Sequence, residues 1–102
     1  DDMAVLPDEY NLFSPYPNPF NPVTIIKYAA PEAGQIAISI YDIRGREIAK
    51  LFNGSHMPGY HTITWDASEY SNGIYFVMMV AHQLNGGETG KYVKTHKLML
   101  IK

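Results

Sequence analysis

An all-β sandwich is the fold this sequence predicts, and three observations lead to it. First, apolar residues recur with a period of two. Ile36, Ile38 and Ile40 alternate with Ala37, Ser39 and Tyr41, and Ile63 and Trp65 alternate with Thr62 and Thr64. That period turns successive side chains to opposite faces of a strand. Second, six or seven such runs are rich in β-branched and aromatic residues and end in clusters of Pro, Gly, Asn and Asp. Those clusters turn the chain. Third, no stretch repeats its apolar residues at helical spacing. The 102 residues suit a single domain with one modest core.

Asp1–Phe13 reads as a linker. Asp1–Glu9 is polar, contains Pro7 and has no sustained period, whereas Tyr10–Phe13 carries apolar side chains that can dock on a domain edge. The domain proper is expected over Ser14–Lys102. It opens on Ser14–Pro22, with four prolines in nine residues. Each proline fixes φ and lacks an N–H donor, so this segment is extended or turned and joins no regular ladder. A free polyproline spacer needs no large aromatics. Tyr16 and Phe20 therefore suggest a packed segment, with Phe20 tucked under the sandwich edge.

Val23–Ala30 is β-rich and closes at the turn Pro31–Gly34. The run Gln35–Phe52 is expected to be a hairpin about Asp42–Gly45. Asp starts a turn through its side-chain hydrogen bond, and Gly45 takes a left-handed conformation in a G1 bulge. The uneven spacing of Ile48 and Leu51 points to a further bulge. Asn53–Gly59 reads as a loop and Tyr60–Asp66 as a strand with Ile63 and Trp65 inward. Ala67–Gly73 is a turn-rich loop ending in the turn signal Asn72-Gly73. Ile74–Ala81 is apolar at every position and predicts a central strand covered on both faces. Gln83–Gly90 reads as a loop, and Lys91–Ile101 as the last strand.

Charge excludes some functions. The formal net charge is -2, which provides no basic face to replace phosphate counterions, so nucleic acid is not expected as a partner. No apolar run reaches the ~18 residues of a membrane-spanning helix. The absence of cysteine removes disulfides and thiolate metal sites. Four of the ten acids fall at Asp1, Asp2, Asp8 and Glu9, and four of the eight basic residues at Lys91, Lys94, Lys97 and Lys102. Lysines along an edge strand discourage sheet-to-sheet pairing. They also suit a C-terminal recognition strand.

Catalytic patterns are weak. His56, His61, His82 and His96 show no metal-ligand spacing, and no calcium loop or nucleophile elbow is present. Ser55, His56 and Asp66 make a poor triad, because neighbours on a strand point apart. Asp66 and Glu69 resemble a carboxylate pair, but a strand-end Asp capping the next turn explains the first of them. Tyr60, Trp65, Tyr70 and Tyr75 are a candidate sugar-stacking platform that core packing explains equally well. No enzyme activity, cofactor or metal is expected.

Five stretches match one family in order: Tyr16–Pro22 (YPNPFNP), Ile40–Ile48 (IYDIRGREI), Pro58–Asp66 (PGYHTITWD), Asn72–Phe76 (NGIYF) and Thr95–Lys102 (THKLMLIK). Together they resemble the type A C-terminal sorting domain of substrates of the type IX secretion system of Bacteroidota. They also resemble the related immunoglobulin-like domain of the flagellar hook-capping protein. The resemblance covers about residues 14–102. It implies an immunoglobulin-like antiparallel sandwich of about seven strands. The implied role is an address that directs an upstream exported cargo through the periplasm and across the outer membrane, to the cell surface or medium. The implied transient partners are the type IX translocon and a surface sortase. The sortase would cut within or near Asp1–Ser14 and attach the cargo to lipopolysaccharide. The family's recognition features fall on Gly45, Arg46, Gly73, Lys97, Leu98, Leu100 and Lys102. Docking of the last strand through its main chain, with lysines tuning the encounter, is the expected mechanism. Self-association through an edge strand is a further expectation. A structural spacer or hook-cap module, and then a carbohydrate-binding module, are the alternatives.

Overall fold

Seven strands form two antiparallel sheets: β1 (Asn11–Leu12), β2 (Val23–Ala30), β3 (Gly34–Tyr41), β4 (Glu47–His56), β5 (Gly59–Asp66), β6 (Gly73–Gln83) and β7 (Gly90–Leu100). The computed structural model describes residues 5–83 and 90–102. One sheet has the order β1-β2-β5 and the other β4-β3-β6-β7. In a constant-type immunoglobulin sandwich the fourth strand lies beside the fifth. Here β4 has instead crossed to pair with β3, leaving three strands facing four.

The core lies where the alternating residues of both sheets meet. Ile36, Ile38 and Ile40 of β3 and Val77, Met79 and Ala81 of β6 are buried to within 1%. Leu12, Ile26 and Trp65 close over them from the three-stranded sheet, and Leu98 and Leu100 from β7. Each aliphatic side chain buried this way contributes about 1.5–3 kcal/mol.

The expected hairpin of β3 and β4 is present. Gly45 has φ +86°, the Gly45 amide donates to the Asp42 carbonyl at 2.9 Å, and the Asp42 amide donates to the Arg46 carbonyl at 2.9 Å. The register slips twice, between Ile38 and Ser39 and between Ile40 and Tyr41. Ile48 and Leu51 are the extra residues, which is why their spacing breaks the alternation.

Three features differ from the sequence expectation. β4 runs on through His56, although Asn53–Gly59 reads as a loop. The polar residues Asn53 and Ser55 point to solvent while β3 supplies the ladder, and Gln35 Nε2 donates to Ser55 Oγ at 2.9 Å. β6 is central, as expected, but only one of its faces is fully covered. Its outward side chains Ile74, Phe76, Met78 and Val80 are half-buried, shielded by cross-strand neighbours such as Tyr41 and Lys97. The chain also joins the sandwich before Ser14. β1 pairs Asn11 with Ala29 and Leu12 with Tyr28. Leu12 is fully buried. Its amide donates to Tyr92 Oη at 3.1 Å, and its carbonyl accepts from His96 Nε2 at 2.7 Å. Of the loop expected over Gln83–Gly90, the inner six residues lie outside the described residues, as do Asp1–Ala4 of the linker.

The proline-rich segment packs as a strap across the side of the sandwich. Tyr16 and Ile25 exchange backbone bonds of 3.1 and 3.0 Å, and Thr24 Oγ1 donates to the Pro17 carbonyl at 2.8 Å. The peptide bonds before Pro17, Pro19 and Pro22 are cis. The strap then crosses to the other sheet, where Phe20 is 2% exposed and lies 5.5 Å from the Trp65 ring.

Candidate functional site

The seven residues singled out from the sequence gather at one pole of the four-stranded sheet. The turn after β3, the start of β6 and the end of β7 lie side by side there, because Tyr41 pairs with Phe76 and Gly73 with Leu100. The chain approaches from the other pole. Tyr10 stacks on Tyr92 at 5.9 Å between centroids and meets His56 edge-on at 6.3 Å. An eight-residue strand such as β2 separates the poles by roughly 25 Å.

The turn is organised by Asp42. Its Oδ1 accepts from the amides of Arg44 at 2.9 Å and Arg46 at 3.0 Å. Its Oδ2 pairs with Arg46 Nε at 3.0 Å. The Arg46 amide bond holds the Asp42 carboxyl below the usual carboxylate range; burial opposes it, and the Arg46 side chain and the Arg44 amide add to the lowering. Gly45 needs no special space, since a Cβ there would meet nothing within 4 Å. Its positive φ alone calls for glycine. Arg46 is thus both a turn element and a presented cation, its side chain 69% exposed.

Gly73 begins β6 at φ +152°, also a region glycine enters most readily. Two residues on, Tyr75 Oη donates to the Ser71 carbonyl at 2.6 Å. This is a tyrosine corner, the device that fixes the turn into the sixth strand of immunoglobulin-like sandwiches. Asn72 turns its Oδ1 toward the end of the chain and accepts from the Lys102 amide at 3.0 Å. Lys102 Nζ donates to the Ser68 carbonyl at 2.8 Å. The Asn-Gly-x-Tyr motif therefore ties together the loop before β6, β6 itself and the residues after β7.

Along β7 the candidate residues divide by face. Leu98 and Leu100 are core residues, 0% and 1% exposed. Lys97 is exposed on the opposite face. The edge of this strand is occupied as well. Asn18 Nδ2 donates to the Lys97 carbonyl at 2.8 Å and Asn18 Oδ1 accepts from the Met99 amide at 3.0 Å. The Phe20 amide donates to the Met99 carbonyl at 2.9 Å and the Phe20 carbonyl accepts from the Ile101 amide at 3.0 Å. The Asn18 carboxamide stands in for a peptide group and Phe20 continues the pseudo-strand. Sequence reasoning missed Asn18 and Asn72. Their only local signals are an asparagine enclosed by prolines and one preceding glycine, and the second reads as a turn signal.

Other candidate constellations come apart. Trp65 and Tyr75 are buried, while Tyr60 sits at the far end of β5 with Lys27 Nζ 5.1 Å from its ring. No flat sugar platform forms from them. Ser55 and His56 lie at the pole opposite Asp66. Asp66 accepts from the Ser68 amide at 3.0 Å and from the Ser68 hydroxyl, which together lower its pKa; it caps the following turn. No group of three or more His, Asp or Glu is placed to hold a metal among the described residues.

A family model described as the secretion system C-terminal sorting domain matches residues 14–99. No curated protein and no solved structure matches the chain. The match spans the strap, both sheets and most of the pole, so each motif that builds the site lies within it or directly beside it. This chain belongs to the secretion system C-terminal sorting domain family, a sorting signal for type IX export rather than a catalyst.

Proposed function

We propose that the pole formed by Asp42–Arg46, Asn72-Gly73, Lys97 and Lys102 is the surface the translocon reads. The observation that supports it is that Arg46, Lys97 and Lys102 are exposed cations at this pole, on a frame fixed by hydrogen bonds. Leu98 and Leu100 contribute by holding β7 in place, and Gly45 and Gly73 by shaping the turns. Exposed cations on a rigid surface steer encounter and reject wrong partners more than they add affinity, and Asp42 offsets part of the charge of Arg46. The cargo joins at the opposite pole, which keeps it clear of this surface while the protein passes through the periplasm.

A surface sortase then separates cargo from signal. Tyr10 and Leu12 are built into the sandwich, and this reading puts the cut N-terminal to Tyr10, within the acidic stretch Asp1–Glu9. Attachment of the released cargo to lipopolysaccharide completes this reading.

The test is a reporter cargo fused to this chain in a type IX host, with Arg46, Lys97 and Lys102 all changed to Ala. The triple variant is expected to fold with near-normal melting and to accumulate in the periplasm. Surface display at the wild-type level would overturn the assignment.

A further inference from the structure

The outer face of the four-stranded sheet has no third layer over it. We infer that this face docks on an anionic lipid surface, through an apolar stripe along β6 and the lysines beside it. The inference goes beyond the sorting pole and shares only Lys97 with it.

Register fixes which side chains lie on that face. Val77, Met79 and Ala81 of β6 are buried in the core, so Ile74, Phe76, Met78 and Val80 point the other way. Across β7 their partners are Met99, Lys97, Thr95 and Val93, and His82 beyond them faces Lys91. On the other side, β3 sets Tyr41, Ser39 and Ala37 against Phe76, Met78 and Val80. The apolar stripe thus runs the length of β6 and broadens onto β7 at Met99 and at Val93, which is 50% exposed. Every strand of the described chain belongs to one of the two sheets, so no strand lies across the stripe.

Polar groups beside the stripe are already bonded. From Phe76 to His82, β6 pairs with β3 and β7 at once. Its backbone therefore brings no free N–H or C=O to an apolar medium. Ser39, the polar side chain nearest the middle, is buried and bonds to the Glu47 carboxylate. Glu47 also accepts from Tyr41 Oη at 3.4 Å and from Lys50 Nζ at 2.7 Å.

Charge specifies the occupant. Lys50, Lys91 and Lys97 stand on this face against one acid, Glu47, which Lys50 neutralises. Lys91 and Lys97 are exposed, and no ion pair holds either of them among the described residues. The excess charge calls for an anionic partner. A lysine lays its apolar stem along its neighbours and carries its ammonium past them. Apolar side chains in the centre with ammonium groups at the margin match the boundary between acyl chains and anionic headgroups. The molecule is a slab of 42 × 34 × 17 Å, and its cavities of about 550 and 340 Å³ are lined by residues away from this face. A broad face of this kind suits an extended, laterally uniform surface, which needs neither a pocket nor a fixed register.

Flotation of the full chain with lipid vesicles is the test. The vesicles are phosphatidylcholine, alone or with about one third phosphatidylglycerol. Binding to the anionic vesicles is expected to exceed binding to the neutral ones by about tenfold or more, and raising the salt from about 50 to 500 mM should release the protein. A nitroxide on the headgroup should broaden the methyl resonances of Val80 and Val93 more than those of Val23 and Ile25, which are exposed on the other sheet. Lys91→Glu reverses one charge far from the sorting pole and should melt normally while binding about tenfold more weakly. Met78→Ser removes an apolar side chain from the middle of the stripe and should weaken binding several-fold. Equal binding to neutral vesicles, unchanged binding in both variants, or broadening strongest at Val23 and Ile25 would overturn the inference. Absence of flotation would overturn it too, and self-association in sedimentation that Met78→Ser abolishes would then assign the face to a second copy. None of these measurements involves export, so they stand or fall apart from the sorting pole.

Discussion

The edges of β7 and β5 close opposite sides of one sandwich and are treated in opposite ways. β7 has four backbone groups between Lys97 and Ile101 taken by Asn18 and Phe20. β5 presents a ladder of similar length with nothing across it among the described residues. Lysines already guard β7, yet the strap is still built over it. On the proposed reading, in which Lys97 and Lys102 belong to the recognition surface, pairing at the edge of β7 would bury that surface. The strap occupies that edge, so the proposed recognition at β7 would fall to side chains. An account in which a partner simply adds to the last strand has to displace Phe20 from the core.

Removing the end of the strand should have the largest effect. Deleting Leu98–Lys102 takes away two fully buried leucines and the groups that hold Asn18, Phe20 and Asn72. Two lost leucines alone cost about 4–10 kcal/mol by the usual range for large core truncations, comparable to the whole stability of a domain this size. The expected outcome is loss of the cooperative melting transition, with a fused cargo retained in the periplasm. A truncated chain that melts cooperatively and still reaches the surface would show that β7 is neither structural nor part of the signal.

Unsealing β7 without removing it is the next step down. Phe20→Ala should cost about 3–5 kcal/mol, because the ring is buried against Trp65 and little can refill the space. It should also make β7 resemble β5. Concentration-dependent association, followed by light scattering below the melting temperature, is expected in the variant and not in the parent. Asn18→Ala leaves Phe20 in place and removes two bonds, for about 1–3 kcal/mol. Hydrogen exchange at the Met99 amide should quicken while exchange at the Ile101 amide, bonded to the Phe20 carbonyl, changes less.

Much of this contrast was legible in the sequence. Period-two patterning located the strands, and Asp42-x-x-Gly45 located the bulged turn, because both follow from local backbone geometry. The burial of Phe20 was also foreseeable, since an aromatic among prolines has few other uses. What stayed hidden depends on crossings between sheets. Asn18 reaches Lys97 and Met99 across 79 and 81 positions, and Asn72 meets Lys102 across 30. No local pattern marks an asparagine that substitutes for a strand. Leu98–Ile101 is apolar at every position, so no alternation marked Leu98 and Leu100 as core residues, and a motif match treats them and the exposed Lys97 alike. The open edge of β5 was invisible for the same reason. Its vacancy exists only because β4 chose β3 as its partner.

The third managed edge, β4, depends on the turn that launches it. Gly45→Val forces a β-branched residue to φ +86°, at a cost of about 1–3 kcal/mol. A lower melting temperature with exchange quickened first across Glu47–Lys50 is the expected result. Unchanged melting would mean that the bulged turn does not set the register of β4.

The smallest effect is a pH dependence of the same turn. Asp42 is held below the ordinary carboxylate pKa of about 3.9, chiefly by the Arg46 amide. A group depressed in the folded state binds its proton more weakly there than in the unfolded chain. Its contribution to stability is therefore complete above the ordinary value and disappears as the pH falls through the lowered one. Asp66, lowered by its bonds from Ser68, adds a parallel loss in the same window at the end of β5. The two are separable. Asp42→Asn keeps an acceptor for the Arg44 and Arg46 amides but does not titrate. It should flatten part of the acid-side decline in melting temperature and abolish the acid shift of the Arg46 Nε proton resonance, while the Ser68 amide still moves with pH. If the Arg46 resonance titrates unchanged in the variant, Asp42 is not the carboxylate that fixes the turn, and the guarded edge of β4 rests on its bulges alone.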